Sequence, residues 1–217
     1  ITGDAADALT MLDDIGLAAK ARESRVSDIA DLKARTGYDE LPRPAAKQGT
    51  VHHADLVAGV QAFLGEDDFL TLDAGANRIW GTFGLRMPFP QRLLVPGGTG
   101  IMGWGPPAAL AAKLVDRRKR VTCLAGDGGF MMTLQVITTC VQQDADVVFL
   151  VGNNAGLGMV RDNLGDSRIA VDFEDVDFAK TVEGLGGKGL TVHHPDEITD
   201  ALDEAHKLGG PVVIDAK

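Results

Sequence analysis

Apolar residues in this chain form short continuous runs that alternate with stretches in which they recur every three or four positions. Runs typical of buried strands lie near 69–73, 92–95, 121–125, 147–151, 188–192 and 211–214. Helical spacing lies near 53–64, 104–116, 134–141 and 175–185, and again from Pro195 onward. We assign a glycine-rich turn to the segment between the first two runs. This alternation predicts an α/β fold, a three-layer sandwich with a mostly parallel sheet and helices on both faces.

The first fifty residues follow a different pattern. Helical spacing covers residues 5–21, and Ser27 is a candidate cap for a second, short helix that contains Ile29 and Leu32. Glycine and proline then interrupt any regular pattern up to residue 50. We therefore divide the chain into an N-terminal segment (residues 1–35), a linker (residues 36–50) and a main domain (residues 51–217).

Polar residues follow two of the strand-like runs. A Gly-Asp-Gly-Gly motif at 126–129 follows one run, and a pair of asparagines at 153–154 follows the next. A strand–helix–strand unit of this length is parallel and right-handed, so both strand ends meet at one edge of the sheet. Asp127 and Asn154 then become neighbours, and carboxylate and amide oxygens suit Mg²⁺. The glycines after Asp127 let backbone N–H groups approach a phosphate. The sequence predicts a magnesium-bound diphosphate.

A third motif favours a competing interpretation. Residues 98–103, Gly-Thr-Gly-Ile-Met-Gly, follow a strand-like run and have the G-x-G-x-x-G spacing of dinucleotide-binding domains. That fingerprint requires an acidic residue about 20 positions further on, and Asp127 lies near this spacing. However, Asp127 sits in its own glycine turn and has a matching Asn154, which a ribose contact does not require. A Rossmann domain that binds a nicotinamide dinucleotide is therefore the less favoured alternative.

Taken in order, the three motifs resemble those of thiamine-diphosphate-dependent enzymes. The aspartate and asparagine motifs resemble that family's metal-binding signature, and residues 98–109 resemble its stretch that holds the aminopyrimidine ring. Residues 155–160, Ala-Gly-Leu-Gly-Met-Val, resemble the acetohydroxyacid (acetolactate) synthase branch. The resemblance runs from about Gly49 to the C-terminus and implies the C-terminal diphosphate-binding domain. Residues 1–19 resemble the end of the family's central domain.

The resemblance implies a role for each matching residue. Asp127 and Asn154 would bind Mg²⁺ through their side chains and Gly156 through its carbonyl. Met102 matches the bulky residue that bends thiamine diphosphate into a V shape, with plain core packing as its alternative role. Further cofactor contacts are implied in the three motifs and in the turn after the first strand: Gly75, Asn77, Gly100, Gly126, Gly128, Gly129, Leu157, Gly158 and Met159.

The chain departs from the synthase pattern at two places. The family usually carries glutamine and histidine at the positions of Ala76 and Asn77, so we expect a single hydrogen bond from Asn77. Synthases follow residue 160 with a mobile aromatic-rich segment, which this chain lacks. Arg161 and Arg168 in its place are candidates for a substrate carboxylate, although a solvated loop position is the favoured role for both. Other members of the wider family, including 2-oxoacid decarboxylases, therefore stay open.

The resemblance implies an enzyme that decarboxylates and ligates 2-oxoacids, as in branched-chain amino acid biosynthesis. The cofactor supplies a carbanion that adds to the oxoacid carbonyl. In the family, the glutamate that activates the cofactor lies on a separate pyrimidine-binding domain. We therefore expect no catalytic residue in this chain, and activity only with that domain, from the same or a second chain in a homodimer or homotetramer. A non-catalytic thiamine-diphosphate-binding or assembly module is the alternative from another class.

Composition narrows the possible partners. The net charge of −10 disfavours nucleic acid, and no apolar run reaches the length of a membrane span, so we expect a cytoplasmic protein.

Cys123 and Cys140 are too far apart for a redox pair and are expected to be buried. The histidine pairs 52–53 and 193–194 precede helical segments, where we expect surface or capping roles. Isoleucine in place of methionine at position 1 suggests a processed or excised piece.

Overall fold

The structure, a computed structural model, describes residues 7, 10–11, 22–37, 50–87, 92–164 and 168–217. The chain divides into two units, residues 1–40 and 41–217. In the first unit, helix α1 spans Arg22–Thr36. Ser27 lies inside α1, so the predicted cap is wrong: residues 22–26 include arginine and glutamate, which favour helix and extend it N-terminally. Most of the helix predicted over 5–21 and most of the predicted linker lie outside the described residues.

Strands and helices alternate in the second unit. Its elements are α2 (His53–Phe63), β1 (Phe69–Leu72), α3 (Ala76–Gly84), β2 (Leu93–Leu94), α4 (Gly105–Val115), β3 (Val121–Gly126), α5 (Asp127–Met132), α6 (Val136–Gln142), β4 (Val148–Gly152), α7 (Gly158–Arg161), α8 (Phe178–Glu183), β5 (Lys188–Val192), a 3₁₀ turn (Pro195–Glu197), α9 (Ile198–Leu208) and β6 (Val212–Ala216). The strands form one sheet in the order β2-β1-β3-β4-β6-β5. Every pairing between them is parallel.

Side chains of the inner strands point alternately into two apolar cores. Cys123 and Phe149 belong to the first core, which α4, α5, α6 and α8 cover. Leu124 and Leu150 belong to the second core, which α2, α3 and α9 cover. Burial of both faces explains why these strands are continuous apolar runs rather than alternating ones. The predicted three-layer α/β sandwich is confirmed.

The structure contains helices that the pattern did not predict. α3 occupies the segment assigned to a glycine-rich turn, and α7 follows the asparagine pair. Gly75, with φ of 104°, precedes α3, and a Cβ on Gly81 would lie 2.6 Å from Leu72 Cδ1. Glycine at position 81 thus allows α3 to pack closely on β1. Because glycine has a low helix propensity, a prediction from propensity does not find this helix. The single helix predicted over 134–141 is preceded by a second one, α5.

The structure also tests the predictions for the cysteines and for the histidine pairs. Cys123 and Cys140 are free and buried, as predicted. His52 caps α2 by accepting a hydrogen bond from the N–H of Ala54 at 3.0 Å. His194 occupies the N-cap position of the 3₁₀ turn, where its backbone N–H donates to Glu197 Oε2 at 3.0 Å. The predicted capping roles are confirmed for these two histidines. Within the described ranges, every helix is too short or too polar to cross a membrane.

Gly189 in β5 offers a test of this packing. A Cβ at this position would lie 2.1 Å from the carbonyl oxygen of Ala179 in α8. We expect Gly189→Ala to lower the free energy of unfolding by about 2–4 kcal/mol, because backbone rather than a flexible side chain must move. The control is Gly184→Ala, where φ is −63° and the nearest atom is 3.5 Å away. Urea unfolding followed by circular dichroism measures both, and equal losses would contradict the packing described here.

Candidate functional site

The carboxyl ends of β1, β3 and β4 open onto a cavity of about 320 Å³. The chain leaves β1 for β2 on one side and returns to β3 on the other, so the strand order reverses between β1 and β3. Parallel sheets bind ligands at such a switch point, because the crossovers diverge there and leave a crevice. All of the predicted contact residues line this one cavity: Gly75, Asn77, Gly100, Met102, Gly126, Asp127, Gly128, Gly129, Asn154, Gly156, Leu157, Gly158 and Met159. Their individual roles stay predictions.

Asp127 begins α5 directly after β3. One carboxylate oxygen accepts the N–H of Gly128 at 2.7 Å, and the other accepts the N–H of Gly156 at 2.9 Å. The residue is 5% exposed. Burial raises the pKa of Asp127, and the two backbone hydrogen bonds partly oppose that rise. A cation would compensate for the hydration that this carboxylate loses, so the position suits a divalent metal.

Asn154 and Gly156 lie in the turn after β4 and face the same end of the cavity. Ala155 between them has a positive φ of 51°, and this turn brings the Gly156 N–H onto Asp127. The Gly156 carbonyl accepts the N–H of Gly158 at 2.9 Å and keeps a second lone pair. The side chain of Asn154 borders the start of α7, since a Cβ on Gly158 would lie 2.5 Å from its Nδ2. Asp127, Asn154 and Gly156 therefore line the same cavity, and their role as metal ligands stays a prediction.

The chemistry of these donors fits Mg²⁺ better than a transition metal. In the described part of the chain, there is no group of three or more His, Cys, Asp and Glu side chains that could hold a metal ion. Asp127, Asn154 and Gly156 offer one carboxylate and two neutral oxygens. Mg²⁺ takes such a set when water and substrate phosphate oxygens complete its octahedron.

The two neighbouring asparagines have different surroundings. Asn153 is buried, and its Nδ2 donates to Asp215 Oδ1 at 2.9 Å and to the carbonyl of Val176 at 2.8 Å. Asp215 in β6 is fully buried and also accepts the N–H of Phe178 at 3.0 Å. Asn153 thus ties β4 to β6 and α8, whereas Asn154, one residue on, turns to the cavity.

Asp73 fixes the loop that carries Gly100 and Met102. Its carboxylate is fully buried and accepts three backbone N–H groups at the start of α4: Gly103 at 3.0 Å, Trp104 at 2.9 Å and Gly105 at 3.0 Å. An anion at a helix N-terminus is stabilised by the unpaired N–H groups and the helix dipole. Sequence reasoning missed this role, because the partners lie some thirty residues away and only the strand-end position of Asp73 hinted at it.

The glycine turn after β3 is confined by protein as well as open to a ligand. A Cβ on Gly129 would lie 2.0 Å from Asp73 Oδ2, and one on Gly128 would lie 2.6 Å from Leu157 Cδ2. Met102 reaches the same turn, with its Cε 3.5 Å from the Cβ position of Gly128. The absence of side chains at 128 and 129 therefore allows the three motifs to close on one another around the cavity.

His53 lines the cavity rather than serving the surface or capping role expected from its place at a helix start. Its Nε2 and the Oδ1 of Asn77 lie 3.3 Å and 3.7 Å from the position that a Cβ on Gly152 would occupy. Burial, with a smaller effect of His52, lowers the pKa of His53 to about 4, so the ring is neutral at pH 7. Asn77 is 2% exposed, and its Oδ1 has no hydrogen-bond partner among the described residues. A polar ligand in the cavity would satisfy this buried amide.

Arg78 also lines the cavity and was not predicted from the sequence. The two candidate arginines, Arg161 and Arg168, are not among the residues that line it. Arg161 pairs with Asp172 at 3.2 Å and approaches the carbonyl of Asn154 at 3.4 Å. It therefore braces the turn after β4 instead of extending into solvent. Arg168 is exposed, as the favoured interpretation had it.

Comparisons with known proteins agree with this geometry. The sequence profile of "Thiamine pyrophosphate enzyme, C-terminal TPP binding domain" matches residues 73–216. The chain is 35% identical over 157 residues to a probable acetolactate synthase large subunit of Methanococcus aeolicus, covering 70% of this chain and 26% of that protein. It is 31% identical over 231 residues to the acetolactate synthase large subunit of Corynebacterium glutamicum, covering 99% and 36%. The chain thus spans about a third or less of the length of these relatives.

A solved structure shares the fold. The thiamine diphosphate-dependent 4-hydroxybenzoylformate decarboxylase of Rhodococcus jostii RHA1 matches with a TM-score of 0.74 and 23% sequence identity. The match covers 82% of this chain and 34% of that one. At this identity the likeness concerns the architecture alone, a parallel sheet between two helical layers.

Substitution of Asp73 tests its role in holding the loop. Asp73→Asn removes the charge and turns an NH₂ group toward N–H donors, so we expect the free energy of unfolding to fall by about 2–4 kcal/mol. The control is Asp203→Asn, at an exposed ion pair with Lys207 on α9, with an expected change within about 0.5 kcal/mol. Urea unfolding monitored by tryptophan fluorescence measures both. Comparable stabilities of the Asp73 variant and the wild type would show that the loop does not depend on this carboxylate.

Proposed function

Because the chain belongs to the thiamine pyrophosphate enzymes through their C-terminal TPP-binding domain, we propose that it forms the diphosphate-binding part of an acetolactate-synthase-like enzyme. The substrate would be a 2-oxoacid, and the reaction would be decarboxylation with carboligation. The observation that carries the proposal is the meeting of Asp127, Asn154 and Gly156 with the glycine turn 126–129 in one cavity. The relatives named acetolactate synthase support this branch of the family.

Mg²⁺ would bind to the Asp127 carboxylate, the Asn154 side-chain oxygen and the Gly156 carbonyl. The diphosphate of thiamine diphosphate would complete the metal's coordination and lie against the backbone N–H group of Gly129. The N–H of Gly128, which was also predicted to contact the diphosphate, already donates to Asp127 Oδ1 at 2.7 Å. One feature fits the metal: Asp127 is a buried carboxylate with lone pairs to spare.

When bound, thiamine diphosphate would supply the carbanion and electron-sink chemistry that decarboxylation of a 2-oxoacid requires. Residues of this chain hold and orient the ligand. Met102 projects from the loop 98–103 toward the glycine turn, where it would fix the bend between the two rings of the cofactor. Asp73 accepts three backbone hydrogen bonds directly after Met102, so the end of the loop that carries Met102 is held before any ligand binds.

The acid–base group that activates the cofactor would come from a pyrimidine-binding domain, in the same or a second chain. Among the described residues that line the cavity, Asp127 is the sole carboxylate, and metal binding would occupy it. Next to the cavity, a depression of about 460 Å³ exposes apolar side chains, with Met131 43%, Met132 56% and Phe173 42% exposed. Such a surface supports docking of another domain, in a homodimer or homotetramer. A cytoplasmic location belongs to the same proposal.

Binding of thiamine diphosphate tests the proposed site. The sample is the native polypeptide that carries this sequence, with any subunit that co-purifies, titrated calorimetrically with thiamine diphosphate in the presence and absence of Mg²⁺. We expect Mg²⁺-dependent binding that Asp127→Asn weakens by about 100-fold, because the metal loses its one charged protein ligand. Asp203→Asn, remote on α9, is the control and should bind like the wild type. Binding of NADH without any response to thiamine diphosphate would refute the proposal.

Turnover separates an enzyme from a non-catalytic cofactor-binding module. The same preparation is supplied with pyruvate, thiamine diphosphate and Mg²⁺, and both CO₂ and acetolactate are measured. We expect both products, each lost in Asp127→Asn. A wild type that binds the cofactor tightly but releases no CO₂ from pyruvate or other 2-oxoacids would instead identify the non-catalytic module.

A further inference from the structure

Arg78 places a positive charge at the cavity wall. It is the third residue of α3, it is half-buried, and it lines the same cavity as Asp127 and Asn154. Its Nη1 lies 3.1 Å from the position that a Cβ on Gly100 would occupy, so the side chain reaches from α3 toward the loop 98–103. Within the described residues, its side chain has neither an ion pair nor a hydrogen bond. An arginine that faces a cavity without a carboxylate partner has its full donor set available to a ligand.

The start of α3 adds further donors beside Arg78. The N–H groups of Ala76 and Asn77 open the helix and belong to those that helical geometry leaves unpaired, and Gly75 provides no side-chain cap. The Asn77 amide is 2% exposed, and its Nδ2 lies 3.3 Å from the Cβ position of Gly126 in the glycine turn. A helix N-terminus, a buried amide and a guanidinium therefore converge on one side of the cavity. Together these groups favour an anion, above all a phosphate.

The charges in the site indicate that a positively charged side chain is needed in addition to Mg²⁺. The diphosphate of thiamine diphosphate carries about three negative charges near pH 7, and Asp127 adds one. Mg²⁺ compensates two of them, so roughly two negative charges are left in the cavity. Arg161 also interacts with Asp127, but it is already paired with Asp172. His53 is neutral at pH 7, because its pKa is lowered to about 4. Among the described lining residues, Arg78 alone carries a permanent positive charge.

We propose that Arg78 binds the terminal phosphoryl group of the diphosphate, together with the N-terminus of α3. The inference rests on the proposed function, since it requires the diphosphate in this cavity. Arg78 follows β1, and the predicted metal ligands Asn154 and Gly156 follow β4, with β3 between these two strands in the sheet. The arginine and the metal would therefore lie on opposite sides of the diphosphate.

Ligands with and without phosphate groups test this assignment on the native protein. For Arg78→Gln, we expect the Kd of thiamine diphosphate with Mg²⁺ to rise by about tenfold or more. The Kd of thiamine, which has no phosphate, should change by less than about twofold, and Arg78→Lys should restore part of the diphosphate affinity. Inorganic diphosphate should also compete less well against the cofactor in the glutamine variant. The control is Arg118→Gln, at an exposed ion pair with Asp116 away from the cavity.

The possible results separate this inference from the function on which it rests. An unchanged Kd for thiamine diphosphate in Arg78→Gln, with normal binding by the wild type, would overturn the role of Arg78 alone. The same outcome with a raised KM for the 2-oxoacid would assign the arginine to the substrate carboxylate and equally overturn the proposal. Failure of the wild type to bind thiamine diphosphate would refute the proposed function, and this inference with it.

Discussion

One buried carboxylate connects the two strand ends on which the site depends. Asp127 follows β3 and accepts the N–H of Gly156 from the turn after β4, so two of the three predicted metal ligands are held together before a metal binds. Burial makes the bare anion unfavourable, and its raised pKa reflects that cost. The same burial would make an arriving cation favourable. Asp73 acts similarly one strand away, where it fixes the loop that carries Met102. The cavity is thus shaped by two internal carboxylates, of which one is satisfied by the protein and the other is available to a ligand.

The described lining of the cavity contains groups suited to binding a ligand rather than to proton exchange. It offers hard oxygen donors, backbone N–H groups at two helix starts and a single permanent cation, all of which suit a metal diphosphate. Its described lining contains no carboxylate beyond Asp127 that could exchange protons with the cofactor. The exposed methionines beside it suit a second domain, which would bring that group. Under the proposed function, this cavity would bind the cofactor and a second domain would supply the acid–base group.

Sequence alone predicted the features that follow from chain order in a parallel sheet. Because strand ends meet at one edge, the motifs at 126–129 and 153–154 had to converge, and they do. Tertiary contacts decided the rest. α3 was missed because its glycines serve packing on β1, and the partners of Asp73 lie about thirty residues away in the sequence. Which of the two asparagines faces the cavity depends on Asp215, which binds Asn153. For His53 and Arg78, a pattern of apolar residues does not show on which side of a helix start a polar side chain lies.

A crystal structure of the native protein with thiamine diphosphate and Mg²⁺ tests the central claim most directly. The account predicts an octahedral metal about 2.0–2.1 Å from the Asp127 carboxylate, the Asn154 side-chain oxygen and the Gly156 carbonyl, with diphosphate oxygens and water completing the shell. A cofactor bound away from the ends of β3 and β4, or a metal that does not contact Asp127, would contradict it.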